Sequence, residues 1–159
     1  MLQKSIIVNE NQVEVSSDID LYNFTNEQIV LINELADSLN EMVKAGYLNI
    51  SSNTLTITNK LARTLENAMT IATRSGGVTK AVSKGGTTID VYLDNTLSNK
   101  VASGIGIGAA LSALFPDPIV SKTIGIALGL CSGLIAYNNE GNGVIVTITG
   151  GTPVWIRPQ

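Results

Sequence analysis

VASGIGIGAALSALFPDPIVSKTIGIALGLCSGLIAY, residues 101–137, is the stretch whose reading decides the fold. Its only charged residues are Asp117 and Lys122. Asp117 lies inside Phe115-Pro116-Asp117-Pro118, which no single helix can pass through, because proline lacks an N–H and clashes with the preceding turn. The stretch therefore reads as two apolar helices joined by a tight turn, from Thr96 to Leu114 and from Pro118 to Ala136. Pro118 suits the first turn of the second helix, where its missing N–H costs nothing. Each arm approaches the roughly 20 residues that cross a bilayer core. Five glycines sharpen the reading. Gly104 and Gly108 are four apart, and Gly125, Gly129 and Gly133 repeat that spacing along one helical face. Glycine costs about 1 kcal/mol relative to alanine in a helix interior. A stripe of three is tolerable where another helix packs closely against it, and small-xxx-small spacing is how helices associate in lipid. The stripe predicts that Gly129→Leu harms the protein more than Ala127→Leu. Two readings stand: an apolar hairpin inside a soluble core, or a membrane-active hairpin. They are compatible if the hairpin is buried first and inserted later.

Working outward, the chain is 159 residues with 4% aromatic and 14% charged residues. That length buries a core without disulfides or metal, and the core must be aliphatic. The mean hydropathy of +0.25 is high for a soluble protein. There is no histidine, which removes the commonest general base, metal ligand and pH switch. The one cysteine, Cys131, reads as a small hydrophobe in the second arm. Met1-Leu2-Gln3-Lys4-Ser5 lacks the charged-then-apolar layout of a secretory signal. The chain is then either cytoplasmic or the mature part of a secreted protein. The net charge of −3 is unevenly spread. Residues 1–42 hold eight acids against Lys4, a balance of −7, whereas residues 43–100 balance to +4. Either an acidic segment faces a basic one, or the two form separate solvated faces.

Local patterns supply the remaining elements. Ser5 to Ser16 reads as a small hairpin turning at Asn9–Gln12. Thr25 and Gln28 form a capping box for an amphipathic helix that Gly46 ends. Tyr47 to Thr58 reads as a second hairpin around Ser51–Asn53. A helix from Asn59 to Thr73 follows, stopped by Gly76-Gly77. That pair is the candidate boundary between an acidic N-terminal pro-region or regulatory subdomain, 1–75, and an apolar hairpin subdomain, 76–159. Thr87–Leu93 and Val144–Thr149 read as strands that pair and bring the ends of the hairpin together. Asp94 or Asn95 caps the first arm. The expected fold is α+β and predominantly helical. Its centre is the apolar hairpin, packed by two amphipathic helices, with a small antiparallel sheet.

No catalytic, cofactor or metal site is legible. Gly104–Ala110 lacks the lysine of a phosphate loop and lies inside a helix rather than at its start. Asp90 reads as an outward strand residue and Asp94 as a cap. Lys80, Lys84 and Lys100 form a loose basic set without interleaved aromatics, on a net acidic chain. That makes a poor nucleic-acid binder, and such lysines suit anionic lipid, at about 1 kcal/mol each. Trp155 suits a membrane interface or a plug at a sheet edge.

The order of these features resembles a known family. Gly76-Gly77-Val78-Thr79-Lys80 is followed by Thr88–Leu93, a Gly/Ala-rich apolar arm, the break at Phe115–Pro118 and a second apolar arm. Gly141-Asn142-Gly143-Val144-Ile145, Val154-Trp155-Ile156-Arg157 and Gln159 complete it. Over residues 76–159 this resembles bacteriocin-like secreted proteins of Gram-positive bacteria, of the enterocin V precursor type. Relatives often carry more tryptophan before the hairpin, where this chain has Val82–Gly86. The resemblance implies a secreted, non-enzymatic antibacterial protein acting on a bacterial membrane or a membrane-associated receptor. It implies no catalytic residues. The hairpin glycines with Phe115, Pro116 and Trp155 would meet the membrane, the three lysines would face lipid, and the protein could form oligomers there. The alternative is a soluble interaction, immunity or surface-binding module whose apolar helices are only its core.

Overall fold

The computed structural model describes residues 2–68, 71–72, 76–104 and 107–159. The chain opens with a short helix, α1 (Leu2–Ser5), and a hairpin of β1 (Ile6–Val8) and β2 (Val13–Val15). Asn9 makes that turn by accepting the N–H groups of Asn11 and Gln12. Helix α2 (Asn26–Lys44) starts at the expected capping box, with Thr25 and Gln28 each bonded to the other's backbone. Gly46, at φ +79°, ends it in the left-handed region that favours glycine. The second expected hairpin is also present, as β3 (Leu48–Ser51) and β4 (Thr54–Ile57). Helix α3 runs only from Asn59 to Glu66, and Ile71–Ala72 form a strand, β5, rather than continuing the helix. Met69, Thr70 and Thr73 of the expected longer helix lie outside the described residues.

A five-stranded antiparallel meander follows, in the order β5, β6 (Val78–Gly85), β7 (Thr88–Leu93), β8 (Val144–Thr149) and β9 (Thr152–Pro158). Strands β7 and β8 pair from Thr88↔Thr149 to Leu93↔Val144, although four helices lie between them in sequence. These are α4 (Asn95–Ser103), α5 (Ile107–Leu114), α6 (Pro118–Leu130) and α7 (Ser132–Asn138). Ile89, Val91, Leu93, Val144, Val146 and Ile148 turn one sheet face into the core. The helices and α2 close over that face.

The predominantly helical architecture around an apolar hairpin is overturned. The sheet is a principal layer, and both apolar arms are broken. In the first arm Gly104 caps α4 with φ +72°, so the helix stops there; Ile105 and Gly106 lie outside the described residues. In the second arm the chain bends by 70° between α6 and α7. Among the described residues no single helix is long and apolar enough to cross a membrane. The pieces contact one another, α4 against α7 and α5 against α6, as core helices. Leu111, Leu114, Ile124, Leu128 and Ile135 are buried. So is Phe115 in the turn, while Pro116 is exposed.

The glycine stripe is not a close-packed seam. A Cβ at Gly108 or Gly133 would meet nothing within 4 Å, and one at Gly129 would reach only Leu31 Cδ1, at 3.8 Å. Gly125 alone is tight, 3.2 Å from Leu111 Cδ1. Ala127, on the opposite face of the helix, is buried. The expected ranking of Gly129→Leu above Ala127→Leu loses its premise.

The N-terminal and C-terminal halves share one core. Ser38 Oγ and Thr123 Oγ1 are 2.6 Å apart between α2 and α6. The Tyr47 hydroxyl donates to Asp117 at 2.5 Å. Gly76 and Gly77 belong to the sheet's end: Asn95 N–H donates to Gly76 O, and a Cβ on Gly77 would sit 2.0 Å from Asn142 O. Gly143 is equally constrained, with φ +85° and Leu93 O 2.0 Å from where its Cβ would lie. Gly143→Ala should therefore cost more than about 2 kcal/mol. Gly129→Ala, whose Cβ would make only ordinary contact with Leu31 Cδ1 at 3.8 Å, should stabilise by about 0.5–1 kcal/mol. Urea unfolding of the two variants beside the parent checks both signs.

Candidate functional site

The outer face of the sheet gathers most of the chain's unexplained polar and aromatic chemistry. Antiparallel register sets Lys80, Tyr92, Ile145 and Arg157 in one cross-strand row, and Val82, Asp90, Thr147 and Trp155 in the next. These side chains alternate with the core-facing set and so point away from it. Lys80 Nζ lies 4.7 Å from the centre of the Tyr92 ring, and Arg157 Cζ lies 4.8 Å from that of Trp155. Both are cation–π distances.

Asp90 anchors the face. It faces outward on its strand, as expected, yet it is only 3% exposed. Thr147 Oγ1 donates to it at 2.6 Å, Arg157 Nη2 at 3.3 Å, and Lys84 Nζ lies at 4.0 Å. A carboxylate buried this far needs such partners. They were invisible in sequence because they come from β6, β8 and β9. With three cations, Lys80, Lys84 and Arg157, against the one carboxylate of Asp90, the face has a net charge of +2. Lys100 is exposed on α4, and no contact joins it to that set.

The acids lie on the other side. Glu34, Asp37 and Glu41 are exposed on α2, whose apolar face lies across the core from the sheet. Of the two charge arrangements open in the sequence, separate faces is the observed one. Among the described residues, the one ion pair these α2 acids make is Glu41 Oε1 with Lys122 Nζ, at 3.4 Å.

Beside the sheet face runs an apolar margin. Trp155 on β9 is 61% exposed, Leu134 and Tyr137 on α7 are 58% and 87% exposed, and Val154 is exposed too. Trp155 thus sits on an edge strand without plugging the core. Two hollows of about 260 and 420 Å³ lie along this margin, both touching Leu2, Leu134 and Val154. By contrast the space inside the core, among Leu39, Met42, Ile89, Ile124 and Ile148, is about 40 Å³. That is room for a few water molecules at most, and its apolar walls offer water little.

Cys131 lies at the α6–α7 bend, its thiol donating to Ala127 O and Leu128 O at 3.4 Å. Burial pushes its pKa up to about 12, so it stays protonated and is a poor nucleophile. Among the described residues no three His, Cys, Asp or Glu side chains gather where a metal could be held. Asp94 is a cap, accepting from Leu97 N–H at 2.8 Å and from Thr79 Oγ1 at 2.8 Å. Comparison with family models, curated proteins and solved structures finds no match for this chain.

The remaining perturbed pair is structural. Asp117 caps α6 through the N–H groups of Ile119 and Val120 and accepts from Tyr47, over whose ring Lys60 Nζ lies at 4.4 Å. Burial pushes the Asp117 carboxyl up, but the Tyr47 hydroxyl, the two N–H groups and Lys60 together hold it below its ordinary 3.8. The hydrogen bond to Asp117, then burial, raises Tyr47. A carboxyl lowered in the folded state stabilises above its unfolded value and loses that contribution as pH falls through the folded one. Asp117→Asn should cost about 0.5–1 kcal/mol at neutral pH, a modest figure because solvent reaches the site. That cost should shrink steadily below the ordinary aspartate value, as paired urea titrations will read.

Proposed function

We propose that this protein is a non-enzymatic module that docks on anionic membrane surfaces, outer sheet face down. The observation that carries this is a basic sheet face with an exposed tryptophan at its edge, on a chain whose net charge is −3. Lys80, Lys84 and Arg157 supply the attraction, at about 1 kcal/mol each near an anionic leaflet. Trp155, with Tyr137 and Leu134 beside it, supplies the amphipathic contact that interfaces favour. The acids of α2, on the far side, orient the molecule by repulsion. The bacterial membrane expected from the family resemblance is one such surface. Insertion is not part of the proposal: the helices of residues 107–138 would have to leave the core, exposing side chains worth about 1.5–3 kcal/mol each.

Three cations and one tryptophan make a weak, reversible and salt-sensitive contact. Trp155 is the chain's only tryptophan, so its emission reports the event. Vesicles containing phosphatidylglycerol should shift that emission to the blue, and phosphatidylcholine vesicles should not. Lys80→Glu combined with Lys84→Glu should abolish the shift, and added salt should weaken it. Equal response to both lipids, or an unaffected double variant, would refute the proposal. Capture by an acidic protein without lipid binding would favour the soluble interaction module instead.

A further inference from the structure

The corner that closes the β7–β8 ladder carries the chain's one asparagine followed by glycine, Asn142-Gly143. The fold demands the glycine, which is buried at φ +85° with Leu93 O 2.0 Å from where a Cβ would lie. It makes no such demand for the asparagine. Asn142 is exposed, and among the described residues its side chain makes no hydrogen bond. By contrast Asn95, Asn99 and Asn139 are bonded to one another. We propose that Asn142 is a self-modification site, which loses ammonia to become isoaspartate and thereby unlocks the corner.

The step needs only the chain and water. The Gly143 backbone nitrogen gives up its proton and attacks Asn142 Cγ, forming a five-membered succinimide. The side-chain nitrogen leaves with that proton as ammonia. A Cβ on the following residue crowds this attack, and glycine has none. Water then opens the ring at either carbonyl. Opening at Cγ leaves aspartate. Opening at the main-chain carbonyl leaves isoaspartate, with the peptide bond running through Cγ and an extra methylene in the backbone. Either product adds one carboxylate to a chain whose net charge is −3.

Asn139 gates the step. Its Oδ1 accepts from Gly143 N–H at 3.0 Å and from Gly141 N–H at 3.2 Å, and its Nδ2 is anchored on Asn95 Oδ1 at 2.7 Å. The proton that must leave is held, and the residue whose nitrogen must attack is buried. Conversion therefore belongs to the molecules in which the corner is open. Once formed, isoaspartate does not fit the closed corner. The Asn142 main-chain carbonyl lies so close to Gly77 that a Cβ on that glycine would sit 2.0 Å from the oxygen, and 2.9 Å from Gln159 Oε1. Isoaspartate puts a free carboxylate in place of that carbonyl, and its longer backbone displaces Gly143 from Leu93 O. The Gln159 amide that ties Val78 O to Leu93 O then loses its fixed seat. A transient opening becomes a lasting one.

The test is incubation of the full chain at mildly alkaline pH, followed by peptide mapping that separates isoaspartate from aspartate. Asn142 should convert before any other asparagine, with isoaspartate the main product, and Asn142→Gln should remove that signal. Asn139→Ala should speed conversion by about tenfold, the change in open population that losing such bonds sets. Low urea on the parent reads the same gate without a substitution, since it also populates the open corner. The converted protein, separated by ion exchange, should melt below the parent, and its Leu93 and Val144 amides should exchange faster. Asn142→Asp adds the charge without the methylene and should keep the parent's melting temperature. Earlier conversion of another asparagine would overturn the site. Conversion at Asn142 that neither Asn139→Ala nor urea speeds would overturn the gate. A converted protein with the parent's melting temperature and exchange would overturn the unlocking. So would an Asn142→Asp variant as unstable as the converted protein, since charge alone would then account for the loss.

Discussion

The ladder between β7 and β8 closes the helical excursion from Asp94 to Gly143, and the rest of the molecule is arranged around that closure. Bringing distant chain segments together costs loop entropy, and six residue pairs, with Val91, Leu93, Val144 and Val146 fully buried among them, offset it. The end of the ladder is locked by groups that leave no slack. Gly143 lies against Leu93 O, where no other residue fits. The Gln159 side chain donates to Val78 O at 2.8 Å and Leu93 O at 2.9 Å, and accepts from Val78 N–H at 2.9 Å. Asn139 gathers Asn95, Gly141 and Gly143 into the same corner. Once this corner is set, α4 must leave the sheet at the Asp94 cap and α7 must return to it.

That closure divides the molecule into two unlike sides. One sheet face is consumed by the core, so the other is left open, and the polar partners of Asp90 assemble there from three other strands. The exposed acids of α2 are held on the opposite side by the apolar stripe that packs on α6. The resulting charge separation is a property of the tertiary fold. The acidic and basic segments of the sequence become two sides of one body.

Much of this was legible wherever a local rule has one outcome. Thr25 with Gln28, Asp94 before α4, Pro118 at the start of α6 and the Asn9 turn all act through neighbours within a few residues. The strands 88–93 and 144–149 were legible from their β-branched runs. The breaks at Gly104 and Cys131 were not. A glycine in an apolar run fits a helix interior or a left-handed cap, and tertiary packing chooses. Nothing at Cys131 forbids a straight helix; the bend places both Leu128 and Ile135 in the core. Strand β6 was hidden because its core-facing residues, Thr79 and Ala81, are small, while Lys80, Val82 and Lys84 look outward. The sheet-face site was legible only as separate residues, since cross-strand register brings Lys80, Tyr92, Asp90 and Arg157 together. The hollows beside Trp155 depend on α1 and α7 both lying against β9, which no periodicity encodes.

The account stands on the apolar helices being core rather than membrane anchors, with the sheet face as the contact surface. Hydrogen–deuterium exchange of the full chain, free and bound to phosphatidylglycerol vesicles, tests this most directly. The account predicts that the amides of Ile119–Leu130 and Val144–Thr149 exchange no faster on the membrane than in the free protein. Faster exchange throughout β8, accompanying release of α6 from the sheet, would contradict it.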